Sequence, residues 1–365
     1  MFGNVYSGKK VLVTGNTGFK GSWLAQWLLQ LGAKVYGLSK DVPTQPSLFE
    51  TLELGKKGDT TFADIRDLER VAQAVATCKP DFVFHLAAQS IVSSSYTDPV
   101  TTFSTNVLGT VHLLEALRKS GHNCTAVLIT SDKCYDNVEW TWGYRENDRL
   151  GGKDPYSGSK GAAELAIKSY YHSYFKPGSP LRLASARAGN VIGGGDWAQN
   201  RLVPDCFRAW SQGHAVQIRN PDSTRPWQHV LEPISGYLRL GEILSKKPHI
   251  NGESYNFGPH AHQNHSALEL LQELQKHWNF GAPKEVYSIV KSDTFHEAAL
   301  LKLNCDKALN ELRWEPTLNF ADAAKLTSEW YDHFYRSRES IIDCTEMQIR
   351  FYVERAHEKR RSWAE

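Results

Sequence analysis

Short, almost unbroken apolar runs alternate with amphipathic stretches through the first half of the chain. Residues 10–14, 34–38, 81–87, 125–131 and 181–186 are each of strand length. Between them, 19–31 carries Trp23, Trp27 and Leu31 at i, i+4 and i+8, and Gly32 ends it. Residues 67–77, 99–119 and 155–174 read as further helices. Apolar runs without alternation, separated by helices, predict a parallel sheet buried on both faces. The expected fold is α/β, a Rossmann-type doubly wound parallel sheet over 1–189. A smaller mixed lobe is expected over 190–365, with helices at 267–278 and 321–335 and segments that return to the sheet.

Composition narrows the class. A chain of 365 residues suits one large domain plus a second lobe. Apolar residues at 41% and charged residues at 22% are ordinary for a globular protein. The formal charge of +2 gives no long-range field toward nucleic acid or membrane, so neither is expected as a partner. Lys359, Arg360 and Arg361 read as a solvated tail rather than a nucleic-acid footprint. No apolar run reaches membrane-spanning length, and Lys9 and Lys10 precede a strand rather than a leader. Six scattered cysteines without a Cys-x-x-Cys pair fit a reducing cytoplasm.

Candidate chemistry begins after the first strand, in the turn Thr14-Gly15-Asn16-Thr17-Gly18-Phe19-Lys20-Gly21. A dinucleotide diphosphate needs backbone amides at a helix N-terminus with no Cβ in the way. Gly15 permits the tight turn, Gly18 the approach of the diphosphate, and Gly21 the packing of helix on sheet. Tyr156-Ser157-Gly158-Ser159-Lys160 puts a phenol and an amine on one helix face. There Lys160 is expected to lower the Tyr156 pKa so that it serves as a base. Asp132 and Lys133 stand at the end of an earlier strand, an acid and a base side by side. His260, His262 and His265 have metal-like residue types, but no acid or Cys joins them and metal binding is not expected.

The Gly-x-x-Gly-x-x-Gly spacing and the Tyr-x-x-x-Lys together resemble the extended short-chain dehydrogenase/reductases. The resemblance implies NAD bound by Gly15, Thr17, Gly18, Phe19, Gly21, Asp64, Ile65, Leu86, Ala87, Ala88, Asn106, Tyr156 and Lys160. It also implies Ser131 as the third member of a Ser131–Tyr156–Lys160 triad. The second strand ends in Ser39-Lys40, where many NAD enzymes place an acid for the ribose, which leaves NADP open. NAD is favoured because a cofactor recycled within one turnover needs no reducing pool.

Asp132-Lys133 resembles the Asp-Glu pair of nucleotide-sugar 4,6-dehydratases, with Lys in place of Glu. Such a pair, with TGNTGFKGSWL, GYREND and RAGNVIGGGDW, resembles the branch acting on CDP-glucose. An epimerase acting at carbon 4 needs no such acid and base, which argues against that rival. The triad argues against a regulatory protein that only binds NAD. The family likeness implies a nucleotide-sugar substrate, met by Asn190, Arg201, Arg219 and Arg225, and a step early in making deoxysugars of the O-antigen type. Lys133 is expected either as a neutral base or as a cation beside an enolate. In this family two long helices pair between subunits, so a homodimer or homotetramer is expected, with Leu113, Leu114 and Leu117 facing either the sheet or the partner.

Overall fold

The computed structural model describes residues 1–281, 283, 285–290, 300–337 and 341–365. Its main elements are β1 (Lys10–Thr14), α1 (Phe19–Gln30), β2 (Lys34–Ser39), β3 (Asp59–Phe62), α2 (Leu68–Cys78), β4 (Phe82–His85), α3 (Pro99–Phe103), α4 (Gly109–Ser120), β5 (Cys124–Ile129), α5 (Pro155–Tyr174) and β6 (Leu181–Arg187). The lobe adds α6 (Leu202–Ser211), α7 (Leu231–Lys246), β7 (Ser254–Asn256), α8 (Ala267–Gln275), α9 (Phe320–Arg336) and α10 (Ile341–Glu358). The seven strands form one sheet in the order β7-β6-β5-β4-β1-β2-β3, and every pairing is parallel. The strand order reverses between β1 and β4. A crevice opens there at the carboxyl ends, where such sheets bind ligands.

Local chemistry fixes the elements around that crevice. All residues of β4 and β5 are buried, as expected of central strands covered on both faces. Asp154 caps α5 by accepting from the Ser157 amide, and Pro155 sits in its first turn. Asp98 and Pro99 start α3 in the same way. The helix expected over 99–119 is interrupted by a π-turn at Ser104–Leu108, which turns Asn106 inward.

The lobe is held by aromatic packing. Trp197, Phe207, Trp330, Tyr331 and Phe334 form a contiguous cluster. The Tyr331 hydroxyl donates to the Asp196 carbonyl, which ties α9 to the loop that leads into α6. β3 is an edge strand whose one large apolar residue, Phe62, is exposed. α7 is buried nearly all round, so it has no polar stripe to reveal its period. Ser254–Asn256 pairs with β6 as the outermost strand, one of the lobe segments expected to return to the sheet.

Leu113, Leu114 and Leu117 are fully buried within the chain against the sheet, which removes them as candidates for a subunit contact.

Candidate active site

A cavity of about 810 Å³ occupies the crevice. Its lining carries nine Lys or Arg side chains against six Asp or Glu, an excess suited to ligands bearing phosphates. One wall is the turn before α1. Gly15 has φ of +74°, and a Cβ on Gly21 would lie 2.0 Å from the Gly15 carbonyl oxygen. The N-cap of α1 is Gly18, with no capping side chain and no acid in the first turn, so the helix's first N–H groups remain for an anion. A dinucleotide diphosphate fits this cradle. Gly21→Ala should push the turn off the helix and weaken dinucleotide binding by at least about 100-fold, or about 2.7 kcal/mol. Titration calorimetry would check this, and unchanged affinity would refute the assignment.

Thr17, Phe19, Asp64, Ile65, Leu86, Ala87 and Ala88 line the same cavity. Asp64 is engaged by Arg66 in a two-pronged pair whose shortest contact is 2.7 Å, and Lys40 approaches it to 4.0 Å. The hydrogen bond and charge of Arg66 hold the Asp64 carboxyl below its usual value against partial burial. Ser39 does not face a ribose freely. Its hydroxyl donates to Asn16 at 2.8 Å and accepts from the Thr17 amide at 3.3 Å.

Asn106 corrects an expectation. It is buried outside the cavity lining. Its amide donates to the Gln89 carbonyl at 3.0 Å and to Ser159 Oγ at 2.8 Å, and its oxygen accepts from the Gln89 amide at 2.8 Å. It therefore pins the loop after β4 to α5 and acts behind the cavity wall.

Ser131, Asp132, Tyr156 and Lys160 converge, and all four are buried. Ser131 Oγ donates to Asp132 Oδ1 at 2.8 Å and accepts from the Lys133 amide at 3.2 Å. Lys160 Nζ lies 6.0 Å from the centre of the Tyr156 ring. The half-buried Lys133 lines the cavity. The expectation that Lys160 lowers Tyr156 is not met by the chain itself. Burial dominates and pushes the Tyr156 phenol up to about 12; Ser131 and Arg201 pull it down, while Asp132 and Asp154 push it up. Burial likewise brings the Lys160 ammonium down to about 8, opposed by the nearby Cys134 and Glu164.

Two substrate candidates have other partners. Asn190 was expected at a diphosphate. Its amide donates instead to Asp132 Oδ2 at 3.1 Å, from a left-handed backbone (φ +53°) that stores strain near the site. Arg201 pairs with Asp196 at 2.8 Å and reaches Ser90 Oγ at 3.2 Å across the cavity. Arg201 lines the cavity, and its charge bears on Tyr156. The exposed Arg219 and the buried Arg225 both line the cavity.

Sequence reading passed over Lys20. This half-buried amine in the first turn of α1 faces the same cavity. Burial, with help from Arg201 and Lys160, holds its ammonium down at about 8 against the pull of Asp132 and Asp196. A cation in the first turn opposes the helix dipole, and that is the signal that marks it. Gly189 was also missed: a Cβ there would stand 2.0 Å from Asp132 Oδ2. Gly189→Ala should displace the carboxylate and slow its proton transfer by about 10²-fold, read as kcat with cofactor affinity unchanged. An unaltered kcat would show that the Asp132 geometry is not needed.

A doubly wound sheet with a glycine turn, a Ser at the end of β5 and a Tyr-x-x-x-Lys on α5 defines an extended short-chain dehydrogenase/reductase. The profile of the family described as "GDP-mannose 4,6 dehydratase" matches residues 12–329, and the chain belongs to that family. It is 45% identical over 354 residues to a CDP-glucose 4,6-dehydratase of Salmonella typhimurium, covering 96% of this chain and 98% of that protein. A UDP-glucose 4-epimerase of Stenotrophomonas maltophila, solved with bound NAD and formylated UDP-arabinopyranose, superposes with a TM-score of 0.77 at 25% identity, covering 90% of this chain and 99% of that one. The dTDP-glucose 4,6-dehydratase of Bacillus anthracis in complex with NAD gives 0.74 at 23% identity, over 91% and 99%. Among the described residues no group of three His, Cys, Asp or Glu is placed to hold a metal, and no helix is long and apolar enough to cross a membrane.

Proposed function

We propose that this chain is an NAD-dependent hydro-lyase that converts CDP-D-glucose to CDP-4-dehydro-6-deoxy-D-glucose and water. The observation that carries the reading is 45% identity along almost the whole chain to a protein of that activity. The buried Asp132 beside Ser131 and Tyr156 agrees with it. When bound, NAD would supply the hydride acceptor and donor that the conversion needs. The glycine turn, Thr17, Phe19, Asp64, Ile65 and 86–88 would hold it, with Tyr156 and Lys160 at its reactive end.

The chain's own groups move the protons. Tyr156, as phenolate, takes the proton of the 4-hydroxyl. The resulting ketone acidifies carbon 5, and Lys133 removes that proton as a neutral amine and later returns it. Asp132, protonated, gives its proton to the 6-hydroxyl, which leaves as water. Asn190 and Gly189 hold Asp132 in place. Arg219 and Arg225 engage the substrate diphosphate, for which planar guanidinium donors suit paired oxygens.

Incubation with CDP-, dTDP-, UDP- and GDP-hexoses should show loss of one water from CDP-glucose by mass spectrometry, without build-up of reduced nicotinamide. Stoichiometric growth of reduced-nicotinamide absorbance would identify an ordinary dehydrogenase instead. An unchanged mass with inverted carbon 4 would identify an epimerase. We place the enzyme in the cytoplasm, in keeping with six cysteines that are all free. We also propose a homodimer or a dimer of dimers. The exposed Phe103, Leu108 and Leu165 support an outer helical contact in place of the leucines that face the sheet. Sedimentation at micromolar concentration should show at least a dimer; a monomer would refute it.

A further inference from the structure

Asp132 stands between two cavities. It lines the crevice, and with Gly189 and Asn190 it also lines a second, smaller cavity of about 10 Å³. The other walls of that cavity include the buried Gln228, the half-buried Lys302 and the exposed His260 in the loop after β7. Among the described residues, the small cavity thus reaches from a buried carboxylate to the surface without passing through the crevice. A single water needs roughly 10–15 Å³ of such space. The cavity therefore takes one water and no organic ligand.

Its inner wall carries a polar atom in need of a partner. Gln228 Nε2 donates to the Gly189 carbonyl at 3.0 Å and to the Phe257 carbonyl at 3.1 Å. Those two bonds decide which end of the amide is which, because the reverse orientation would set oxygen against oxygen twice. Gln228 Oε1 is left buried and unpartnered within the chain, a costly state in a dry interior. Gly189 in turn touches Asp132: a Cβ there would stand 2.0 Å from Oδ2. Two acceptors, Gln228 Oε1 and the Asp132 carboxylate, thus border one water-sized space. A water between them donates to both and turns its own oxygen toward a donor at the mouth. Of the side chains at the mouth, an imidazole is the one whose ordinary titration lies near neutral pH. The His260 ring is stacked on His262, with centroids 5.8 Å apart and planes 9° apart. Burial, and then the charges of Arg361, His262 and Lys359, hold its imidazolium below the usual value, which makes it ready to release a proton.

We propose that this cavity is a one-water site through which His260 passes a solvent proton to Asp132 in each turnover. Asp132 gives its proton to the departing hydroxyl while nucleotide sugar and dinucleotide fill the crevice, so its supply from that side is closed. An N–H bond of the His260 imidazolium breaks as an O–H bond forms on the water. An O–H bond of that water breaks as one forms at Asp132. The neutral imidazole then takes a proton from a buffer acid. Tyr156, which gained the proton of the 4-hydroxyl, gives it to solvent through the crevice once product has left. One proton enters at His260 and one leaves at Tyr156, so the cycle balances. His260 touches neither substrate nor dinucleotide and acts only through the water.

The inference rests on the dehydratase reading, and the tests separate the two. A crystal structure of the unaltered enzyme should show one ordered water hydrogen-bonded to Gln228 Oε1 and Asp132; a dry cavity would overturn the proposal. His260→Ala should keep its melting temperature and its KM for CDP-glucose, since the side chain is exposed and away from the crevice. Its first turnover should run at the unaltered rate, because resting Asp132 already holds a proton. Its steady state should be about ten-fold or more slower than that first turnover. Added imidazole should restore the steady state and leave the first turnover alone. If His260→Ala slows both phases by one factor, slows neither, or ignores imidazole, the route is overturned while the dehydratase reading stands. If the unaltered enzyme releases no water from CDP-glucose, the reading itself fails.

Discussion

Tyr156→Phe should bind the nucleotide sugar normally and fail before carbon 4 is oxidised, with kcat lower by about 10²–10⁴-fold. The phenol is buried, so the Phe ring fills nearly the same space and removes only the proton acceptor. Lys133→Ala should stop later: the nicotinamide should become reduced, and the cycle should stall before water loss, with a similar fall in overall rate. Rapid-mixing absorbance of reduced nicotinamide, paired with deuterium exchange at carbon 5, distinguishes the two blocks. If Lys133→Ala exchanges carbon 5 at the full rate, Lys133 is not the base. Lys20 would then be the next candidate, a half-buried amine in the same cavity. If Tyr156→Phe still reduces the nicotinamide at speed, the base at the 4-hydroxyl lies elsewhere.

The parts of the molecule that were legible in sequence are those where one local rule acts alone. The glycine turn, β1 and α5 fall where periodicity and capping put them: Asp154 and Pro155 mark the start of α5 to the residue. Residues whose position depends on distant segments were not legible. The direction of Asn190 is set by Asp132, 58 positions earlier. Arg201 was read as a phosphate ligand from its charge, but its geometry is set by Asp196 and Ser90. Asn106 reads as a cofactor residue by resemblance, yet its three hydrogen bonds all serve the wall behind the cavity. Lys160 gave no sign in sequence that burial would outweigh charge in its own titration. Sequence spacing reports which residue types share an element; which atoms are dry and paired is decided by segments that meet only in the fold.

One such pairing lies beneath the active site, where Arg187→Met should cost about 3–5 kcal/mol of stability. Arg187 at the end of β6 and Glu164 on α5 form an ion pair at 2.7 Å, with side chains only 3% and 2% exposed. Glu164 lies four residues after Lys160, on the same helix face. It also accepts from Thr130, the neighbour of Ser131, and from Ser185 at 2.8 Å. Arg187 further donates to the Tyr135 hydroxyl at 2.8 Å and to the Glu146 carbonyl at 2.9 Å. The pair therefore fixes the end of β5 against the helix that carries Tyr156 and Lys160.

Removing only the guanidinium leaves a buried carboxylate without its counter-charge, the costly half of a broken pair. Glu164→Met with Arg187→Met should recover part of the loss, because no uncompensated charge remains. The pH dependence should change sign. In the unaltered chain, burial alone would raise the Glu164 carboxyl, but the charge and hydrogen bond of Arg187, with Thr130 and Ser185, bring it below its usual value. The stability it contributes is present above the unfolded carboxyl value, about 4.3, and is lost as pH falls through the lower folded value. In Arg187→Met burial is unopposed and the folded value rises. The deficit should then widen as pH rises through the carboxylate range and shrink in acid, where Glu164 takes up a proton. Urea unfolding of both variants across that range reads the slope. A deficit that is the same at every pH, or a double variant as unstable as the single one, would show that Glu164 gains nothing from the Arg187 charge and that the two meet as packing alone.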